Sequence, residues 1–258
     1  MTRNAIVGYT GFVGSNLCKQ TDFESFFNSK NIQDIAGKSF DTLVFSGAPA
    51  NKWIANKEPE QDWQNLQQIM ALLKTVKAKQ LVLISTVDVI PPSDAPQDET
   101  VDCTVGSNHA YGTHRLALEQ FMRAQFPHTL VVRLPGLFGP GLKKNVIYDL
   151  IHDNMLANIN PASSFQYYDI TRLWADIKQS LDHQLGLVHL FTQPIATRAI
   201  LQRYFPHKQV GQTPAPQAHY DHRTRYAGLY GGSGGWISSA DAVLDRLGNY
   251  LRNEGVNP

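Results

Sequence analysis

The stretch that decides the fold is Ala5-Ile6-Val7-Gly8-Tyr9-Thr10-Gly11-Phe12-Val13-Gly14. An apolar run of strand length leads into glycines at every third position, and a segment of helical character follows. Gly8 permits the tight turn, Gly11 lets the backbone approach a pyrophosphate, and Gly14 lets the helix pack closely on the sheet. Free N–H groups at the start of that helix favour phosphate. The pattern therefore predicts that a dinucleotide binds over this turn.

Further along the chain, apolar runs of strand length alternate with stretches of helical periodicity. This alternation predicts an α/β fold with a Rossmann-type doubly wound parallel sheet. The predicted strands are residues 5–7, 23–27, 42–46, 81–85, 129–134 and 187–191, with a further short one at 166–170. The predicted helices are residues 62–78, 111–126 and 171–185, and a last helix capped by Ser238 or Ser239. The segment between strands 23–27 and 42–46 is too short for a complete helix-and-strand unit, so the predicted core is a trimmed one.

We expect the 258 residues to form a single unit. The Rossmann core takes about 1–140 and 165–192, and a small C-terminal substrate-binding lobe takes about 141–164 and 193–258. Prolines and glycines between residues 206 and 235 interrupt regular structure in that lobe.

Composition limits the class of partner. A net charge of +1 and a pI of about 7.8 give no electrostatic reason to expect nucleic acid or a membrane surface. The apolar runs are far shorter than the roughly 20 residues of a membrane helix. Cys18 and Cys103 are expected to be free thiols in a reducing compartment, and the nine histidines show no metal-ligand spacing. We expect a cytoplasmic protein without a metal that binds a small molecule, with a homodimer left open.

Two later motifs complete the pattern. Ser85-Thr86-Val87-Asp88-Val89 ends a predicted strand, and Tyr111-Gly112-Thr113-His114-Arg115 begins a predicted helix. Together with the glycine turn they resemble the extended short-chain dehydrogenase/reductase (NAD-dependent epimerase/dehydratase) family, whose members read T-G-x-x-G-F-I-G-S, S-[ST]-x-x-V-Y and Y-G-x-S-K. The resemblance covers most of residues 1–190. It implies hydride transfer between NAD(P) and a nucleotide-linked sugar.

The resemblance also implies catalytic roles for three residues. Thr86 matches the hydroxyl that binds the reacting oxygen, and Tyr111 matches the general acid/base, with a pKa that the site must lower. Arg115 stands where the family has lysine, one helical turn after Tyr111. An arginine supplies positive charge and can hold a cofactor ribose, but it cannot release a proton. The alternative hypothesis is therefore a non-catalytic NAD(P)-binding sensor or scaffold. A ribose contact would favour the enzyme, and a solvent-facing guanidinium would favour the scaffold.

The predicted cofactor contacts come from the glycine turn, the ends of the strands and the catalytic motifs. They are Gly8, Thr10, Gly11, Phe12, Val13, Gly14, Asn28, Ser29, Lys30, Asp34, Ile35, Gly47, Ala48, Pro49, Ser85, Tyr111, Arg115, Pro135, Gly136 and Leu137. NAD binders usually place an acid after the second strand, and this chain has none there. Ser29 and Lys30 suit a 2′-phosphate instead, so we expect NADP in preference to NAD.

The sequence also offers candidate substrate contacts. The candidates are Lys143, Arg223 and Arg225, whose basic side chains suit a substrate diphosphate, His109, which lies two residues before Tyr111, and Asn145. Dehydratase-like members carry two acidic residues directly after the family's threonine. In this chain valine, Val87, takes the place of the first of those acids. This argues against dehydration and leaves Asp88 with an expected structural role. The preferred activity is that of a 4-keto sugar reductase or a 4-epimerase, which differ in whether the keto intermediate leaves.

Overall fold

The computed structural model describes residues 3–256, which fall into two compact units. Within those residues the first unit comprises 3–95, 99–134 and 173–189, and the second comprises 96–98, 135–172 and 190–256. The second unit thus takes residues 135–140, 165–172 and 190–192, which were expected from the sequence to lie in the Rossmann core. In the described part of the chain, no helix is both long and apolar enough to cross a membrane.

The elements follow one another in a βα alternation. The strands are β1 (Asn4–Val7), β2 (Ser25–Phe27), β3 (Ser39–Phe45), β4 (Lys77–Thr86), β5 (Thr129–Leu134), β6 (Gly136–Phe138), β7 (Ser164–Phe165), β8 (Tyr167–Asp169), β9 (Leu187–His189) and β10 (Ile195–Ala196). The α-helices are α1 (Phe12–Leu17), α2 (Lys52–Lys57), α3 (Pro59–Leu73), α4 (Ala110–Gln125), α5 (Val146–His152), α6 (Leu173–Asp182), α7 (Thr197–Tyr204) and α8 (Ala240–Asn253).

The first unit is built on a six-stranded sheet in the order β2-β1-β3-β4-β5-β9, and every neighbouring pair is parallel. The strand order reverses at β1, because β2 lies on one side of it and β3 on the other. In open α/β sheets, ligands bind beyond the carboxyl ends of the strands at this point. Only a 3₁₀ turn, Ile32–Ile35, separates β2 from β3. The predicted Rossmann-type sheet and its trimmed core are confirmed.

Apolar side chains cover both faces of this sheet. Val7, Phe45 and Leu83 are buried on one face, in a cluster that includes Leu66 of α3 and Leu118 of α4. Successive side chains of a strand point to opposite faces. Their neighbours Ile6, Val44 and Val82 therefore point the other way, and each is fully buried. Burial on both faces explains why the strands read as continuous apolar runs rather than alternating ones.

One predicted helix has different bounds from the observed one. The helix expected at 62–78 begins at Pro59, a residue well suited to a first helical turn, and ends at Leu73. Lys77 and Ala78 instead pair with Ser39 and Phe40 at the start of β4. Sheet pairing therefore overrides the helical periodicity at this end.

The second unit contains two short sheets. β6 pairs in parallel with β8, and β7 pairs with β10 in antiparallel fashion. Tyr167 and Tyr168 of β8 are almost fully buried, and α8 packs against that strand. Of the two predicted caps of α8, Ser239 is the N-cap: its hydroxyl accepts a hydrogen bond from the Ala242 N–H at 3.3 Å.

Candidate functional site

The three glycines of the turn differ in why they are needed. Gly8 has φ of +88°, and a Cβ there would lie 2.5 Å from the Ser46 carbonyl oxygen. A Cβ on Gly14 would lie 2.2 Å from the Gly8 oxygen. Gly11 is exposed, has φ of −76°, and its Cβ would approach the Gly8 oxygen only to 3.3 Å. The fold therefore requires Gly8 and Gly14, whereas at Gly11 a side chain would mainly fill the open space above the turn. An approaching ligand backbone would need that space.

The loop after β2 is held by its own asparagines. The Asn31 side chain accepts from the Asn28 N–H at 2.7 Å and donates to the Phe26 carbonyl at 3.0 Å. The Asn28 side chain accepts from the Lys30 N–H at 2.9 Å. Ser29 and Lys30 are exposed beside the glycine turn, which hydrogen-bonds to the end of β2. Further along, Asp34 is exposed, whereas Ile35 is fully buried in the core. The predicted cofactor contact Ile35 thus has its side chain in the hydrophobic core.

Thr86 lies at the carboxyl end of β4, and its hydroxyl is oriented by Asp88. The Thr86 oxygen accepts from the Asp88 N–H at 3.1 Å and donates to Asp88 Oδ2 at 3.3 Å. Asp88 Oδ1 forms an ion pair of 2.6 Å with Lys52 Nζ at the start of α2. Asp88, expected to be structural, therefore directly contacts a predicted catalytic hydroxyl.

Gly112 brings the start of α4 against this segment. A Cβ on Gly112 would lie 2.2 Å from the Asp88 carbonyl oxygen, so only glycine permits the approach. His109 caps the helix, since its Nδ1 accepts from the Gly112 N–H at 3.0 Å. Next to Gly112, Tyr111 is buried, and its N–H donates to the Asn56 side chain at 2.9 Å. The tyrosine-glycine pair thus places the phenol beside the end of β4.

Arg115 is neither solvent-facing nor without partners. Its side chain is only 4% exposed, and it donates to both oxygens of Asp62, through Nη1 at 2.8 Å and Nη2 at 2.9 Å. Nη2 also donates to the Pro49 carbonyl oxygen. Asp62 receives a second contact of 2.7 Å from His114 Nδ1. The guanidinium carbon lies 4.4 Å from the centre of the Tyr111 ring. Neither arrangement expected from the sequence describes this buried ion pair.

The electrostatics around Tyr111 oppose one another. Burial raises the pKa of the phenol most strongly, and the Asp88 carboxylate adds to this effect. The Arg115 charge and the Thr86 side chain lower the pKa, but less than burial raises it. The net pKa is therefore above the ordinary value in the chain alone, whereas the family resemblance implied a lowered one. A positively charged cofactor ring beside the phenol would shift the balance downward.

Ser85, a predicted cofactor contact, has a different partner. Its hydroxyl donates to Glu119 of α4, and Glu119 is also bound by Arg133 of β5 at 2.7 Å. Arg133 in turn contacts His189 of β9 at 3.2 Å. These four side chains form a network, buried except at the half-buried Ser85, that ties three strands to α4. Within the first unit, the Ser85 side chain thus belongs to this structural network.

The predicted substrate contacts other than His109 lie in the second unit, together with three of the predicted cofactor contacts. The Asn145 side chain caps α5, accepting from the Ile147 and Tyr148 N–H groups, at an unusual φ of +103°. Arg223 is paired with Asp221 at 3.0 Å and lies 3.7 Å from the Trp236 ring centre. Lys143 and Arg225 are exposed. Among the predicted cofactor contacts, Gly136 pairs with β8 and Leu137 accepts from Asn145. Pro135 immediately precedes β6, the strand that contains Gly136 and Leu137.

Sequence comparison supplies the family. The family model described as NAD dependent epimerase/dehydratase matches residues 25–183, more than half of the chain. The chain belongs to this family. The matched region begins after the glycine turn at residues 8–14. The turn therefore supports membership of the family independently of the family model. No curated protein sequence matches the chain.

Solved structures that resemble the chain share its whole fold. A dTDP-4-dehydrorhamnose reductase from Yersinia enterocolitica is 14% identical, with 97% of this chain and 99% of that chain covered and a TM-score of 0.73. The corresponding reductase from Bacillus anthracis, in complex with NADP, is 16% identical, with 96% of this chain and 98% of that chain covered and a TM-score of 0.71. A UDP-glucuronic acid 4-epimerase from Bacillus cereus, in complex with NAD, is 14% identical, with 89% of this chain and 91% of that chain covered and a TM-score of 0.66. At these identities the likeness establishes the epimerase/dehydratase fold.

Proposed function

We propose that this epimerase/dehydratase family member is an NAD(P)-dependent oxidoreductase or epimerase acting on a nucleotide-linked sugar. The observation that carries the proposal is the position of Tyr111. Its phenol lies at the start of α4 beside the Thr86 hydroxyl, with the Arg115 guanidinium 4.4 Å from its ring centre. A proton donor, a second hydroxyl and a cation at one strand end are what reversible reduction of a carbonyl requires.

The residues of the first unit fit a dinucleotide. The open backbone at Gly11 offers the space that a pyrophosphate needs, and Gly47 and Ala48 follow β3 at the same edge of the sheet. Arg115 Nε is buried without a hydrogen-bond partner among the described residues, and we assign this donor to the cofactor ribose. When bound, the nicotinamide supplies or accepts the hydride.

The acid–base work then falls to this chain's own side chains. Tyr111 Oη gives its proton to the oxygen of a keto group during reduction, and takes the proton from a hydroxyl during oxidation. The Thr86 hydroxyl binds the same oxygen near the phenol, turning toward it the proton that otherwise points at Asp88 Oδ2. Arg115 stabilises the phenolate form electrostatically, since a cation beside a phenol favours its ionised state. Asp62 fixes the position of that cation.

Within this class we favour a 4-keto sugar reductase or a 4-epimerase, and NADP over NAD. Val87 leaves the strand end without the first acid of the dehydratase-like pattern. Fold-level likeness to 4-dehydrorhamnose reductases over nearly the whole chain supports the reductase. The exposed Lys30 and the absence of an acid in residues 28–31 support NADP. Lys143, Asn145, Arg223 and Arg225 remain the predicted substrate contacts in the second unit, and His109 in the first.

The competing hypothesis is a scaffold that binds NAD(P) without turnover, and it rests on the neutralisation of Arg115 by Asp62. A thermal-shift screen with NAD, NADP and a panel of nucleotide sugars separates binding from its absence, because a ligand of the folded state raises the melting temperature. We expect a shift with a dinucleotide and a further shift when a nucleotide sugar is added. No shift with either dinucleotide would contradict the proposal. A shift with the dinucleotide, but none with any sugar nucleotide and no turnover, would favour the scaffold.

A further inference from the structure

The contacts around Asp88 form a continuous path from Tyr111 to the protein surface. Thr86 interacts with the phenol, donates its own proton toward Asp88 Oδ2 at 3.3 Å, and accepts from the Asp88 N–H at 3.1 Å. A hydroxyl has one donor and two acceptor positions. With its donor directed at Asp88, the Thr86 oxygen has an acceptor position left for the phenol. The Thr86 hydroxyl at the end of β4 therefore connects the start of α4, where Gly112 packs on Asp88, to the Asp88 carboxylate.

The Asp88 carboxylate bridges this chain to Lys52. Oδ2 faces Thr86, whereas Oδ1 lies 2.6 Å from Lys52 Nζ, whose side chain is 39% exposed. His109 Nε2 lies 3.8 Å from the same oxygen, beyond hydrogen-bond distance. The His109 Nδ1 accepts from the Gly112 N–H, which places the proton of the neutral ring on Nε2. Lys52 is thus the group in direct contact with both Asp88 and solvent.

Arg115 leaves a need for such a path. A tyrosine that has given its proton to a substrate must recover one before the next turnover. An arginine does not deprotonate in proteins, and this one is held by Asp62 and Pro49. Arg115 can supply charge to Tyr111 but not a proton.

We propose that Asp88 and Lys52 are positioning residues that act through Thr86 to return the proton to Tyr111. This inference rests on the proposed hydride-transfer function. In reduction, hydride from the nicotinamide cofactor reaches the carbonyl carbon, the Tyr111 O–H bond breaks, and the proton joins the substrate oxygen. The phenolate takes the Thr86 proton, Thr86 takes a proton through Asp88 Oδ2, and Asp88 Oδ1 receives one from Lys52, which is reprotonated by water. Oxidation runs the same transfers backwards, and one proton crosses in each net reduction or oxidation.

The first test is kinetic, with a nucleotide sugar that the wild type turns over. We expect Asp88→Asn to lower kcat by about 10-fold or more and to raise the solvent deuterium isotope effect on kcat, because proton return becomes rate-limiting. The KM and the cofactor Kd should change less than about 2-fold, since no binding contact is removed. Lys52→Met should act in the same direction, and Asp88→Glu should recover part of the rate. Lys57→Met, on the same helix with its ammonium over the Trp53 ring, is the matched control and should leave the rate unchanged.

The second test needs no turnover. The pKa of Tyr111 can be followed by ¹³C NMR of labelled tyrosine, with Tyr111→Phe to assign the signal. Asp88→Asn should lower that pKa, because a negative charge beside the phenol is removed. An unchanged Tyr111 pKa would overturn the connection whether or not a substrate is known. Wild-type kcat and isotope effect in both Asp88→Asn and Lys52→Met would overturn the path. Absence of turnover in the wild type, with the NMR shift present, would instead count against the proposed function.

Discussion

The guanidinium of Arg115 on α4 and the carboxylate of Asp62 on α3 form two parallel hydrogen bonds, of 2.8 and 2.9 Å. Both side chains are almost completely removed from solvent, with 4% and 6% exposed. Bidentate arginine–carboxylate pairs fix the plane of the guanidinium as well as its position. The pair holds a cation against the face of Tyr111, at the position where the family resemblance implies a lysine.

Breaking this pair should cost stability. Asp62→Asn leaves a buried guanidinium without its counter-charge, and we expect a loss of about 3–5 kcal/mol in the free energy of unfolding. The matched control is Asp182→Asn, because Asp182 pairs with Lys178 on an exposed helix surface at 3.2 Å. That change should cost less than about 1 kcal/mol. Urea unfolding of the two variants makes the comparison, and equal losses would mean that the Asp62 contact contributes no more than a surface pair.

The same pair predicts a dependence on pH. Burial raises the pKa of Asp62, but hydrogen bonds and charge from Arg115 and His114 outweigh it, so the net pKa lies below the ordinary value. A lowered native pKa contributes stability that is present above the unfolded value, near 3.9, and is lost as pH falls through the native value. The stability lost by Asp62→Asn, measured by urea unfolding, should therefore shrink between pH 7 and pH 3. A difference that stays constant over this range would contradict the shifted pKa.

The glycine turn separates folding from binding. Gly8→Ala should destabilise the chain, because the added Cβ meets the Ser46 carbonyl oxygen at 2.5 Å and the residue has φ of +88°. Gly11→Val should keep the fold, since its backbone is extended and its Cβ would closely approach only the Gly8 oxygen, at 3.3 Å, a contact that a small shift of the turn relieves. We expect Gly11→Val to abolish dinucleotide binding in calorimetry while its melting temperature stays near that of the wild type. Unchanged cofactor affinity in this variant would show that the pyrophosphate lies elsewhere.

Lys30 tests the choice of cofactor. Its side chain is exposed on the asparagine-braced loop after β2, where no carboxylate opposes a 2′-phosphate. We expect Lys30→Ala to weaken NADP binding by about 10-fold or more, because a charge-assisted hydrogen bond is lost, and to leave the affinity for NAD unchanged. The control is Lys19→Ala, which changes a different exposed lysine, just after α1. Tighter NAD than NADP binding in the wild type would contradict the preference.

The sequence predicted the parts of the site that depend on local order. The glycine turn after β1, Thr86 at the end of β4 and Tyr111 at the start of α4 could all be placed from motif and periodicity. The Asp62 partner of Arg115 could not, because the two residues lie 53 positions apart and meet only when α3 packs against α4. Ser85 and Asn145 were predicted as ligand contacts, but their side chains bind Glu119 and the start of α5. The sequence of a motif does not show whether a polar side chain is available to a ligand or already forms hydrogen bonds within the protein.

The most direct test of the central claim is the cofactor absorbance at 340 nm. The protein is mixed with oxidised NADP or NAD and a panel of nucleotide sugars, and separately with NADPH or NADH and the 4-keto forms of those sugars. For a reductase or dehydrogenase step we expect a change with at least one of them. For an epimerase, whose cofactor is regenerated, we expect a transient change and an epimeric product. Tyr111→Phe should remove most of this turnover while leaving the dinucleotide Kd nearly intact, because the phenol acts in the transition state. Tyr148→Phe is the control. Equal turnover in wild type and Tyr111→Phe would contradict the account.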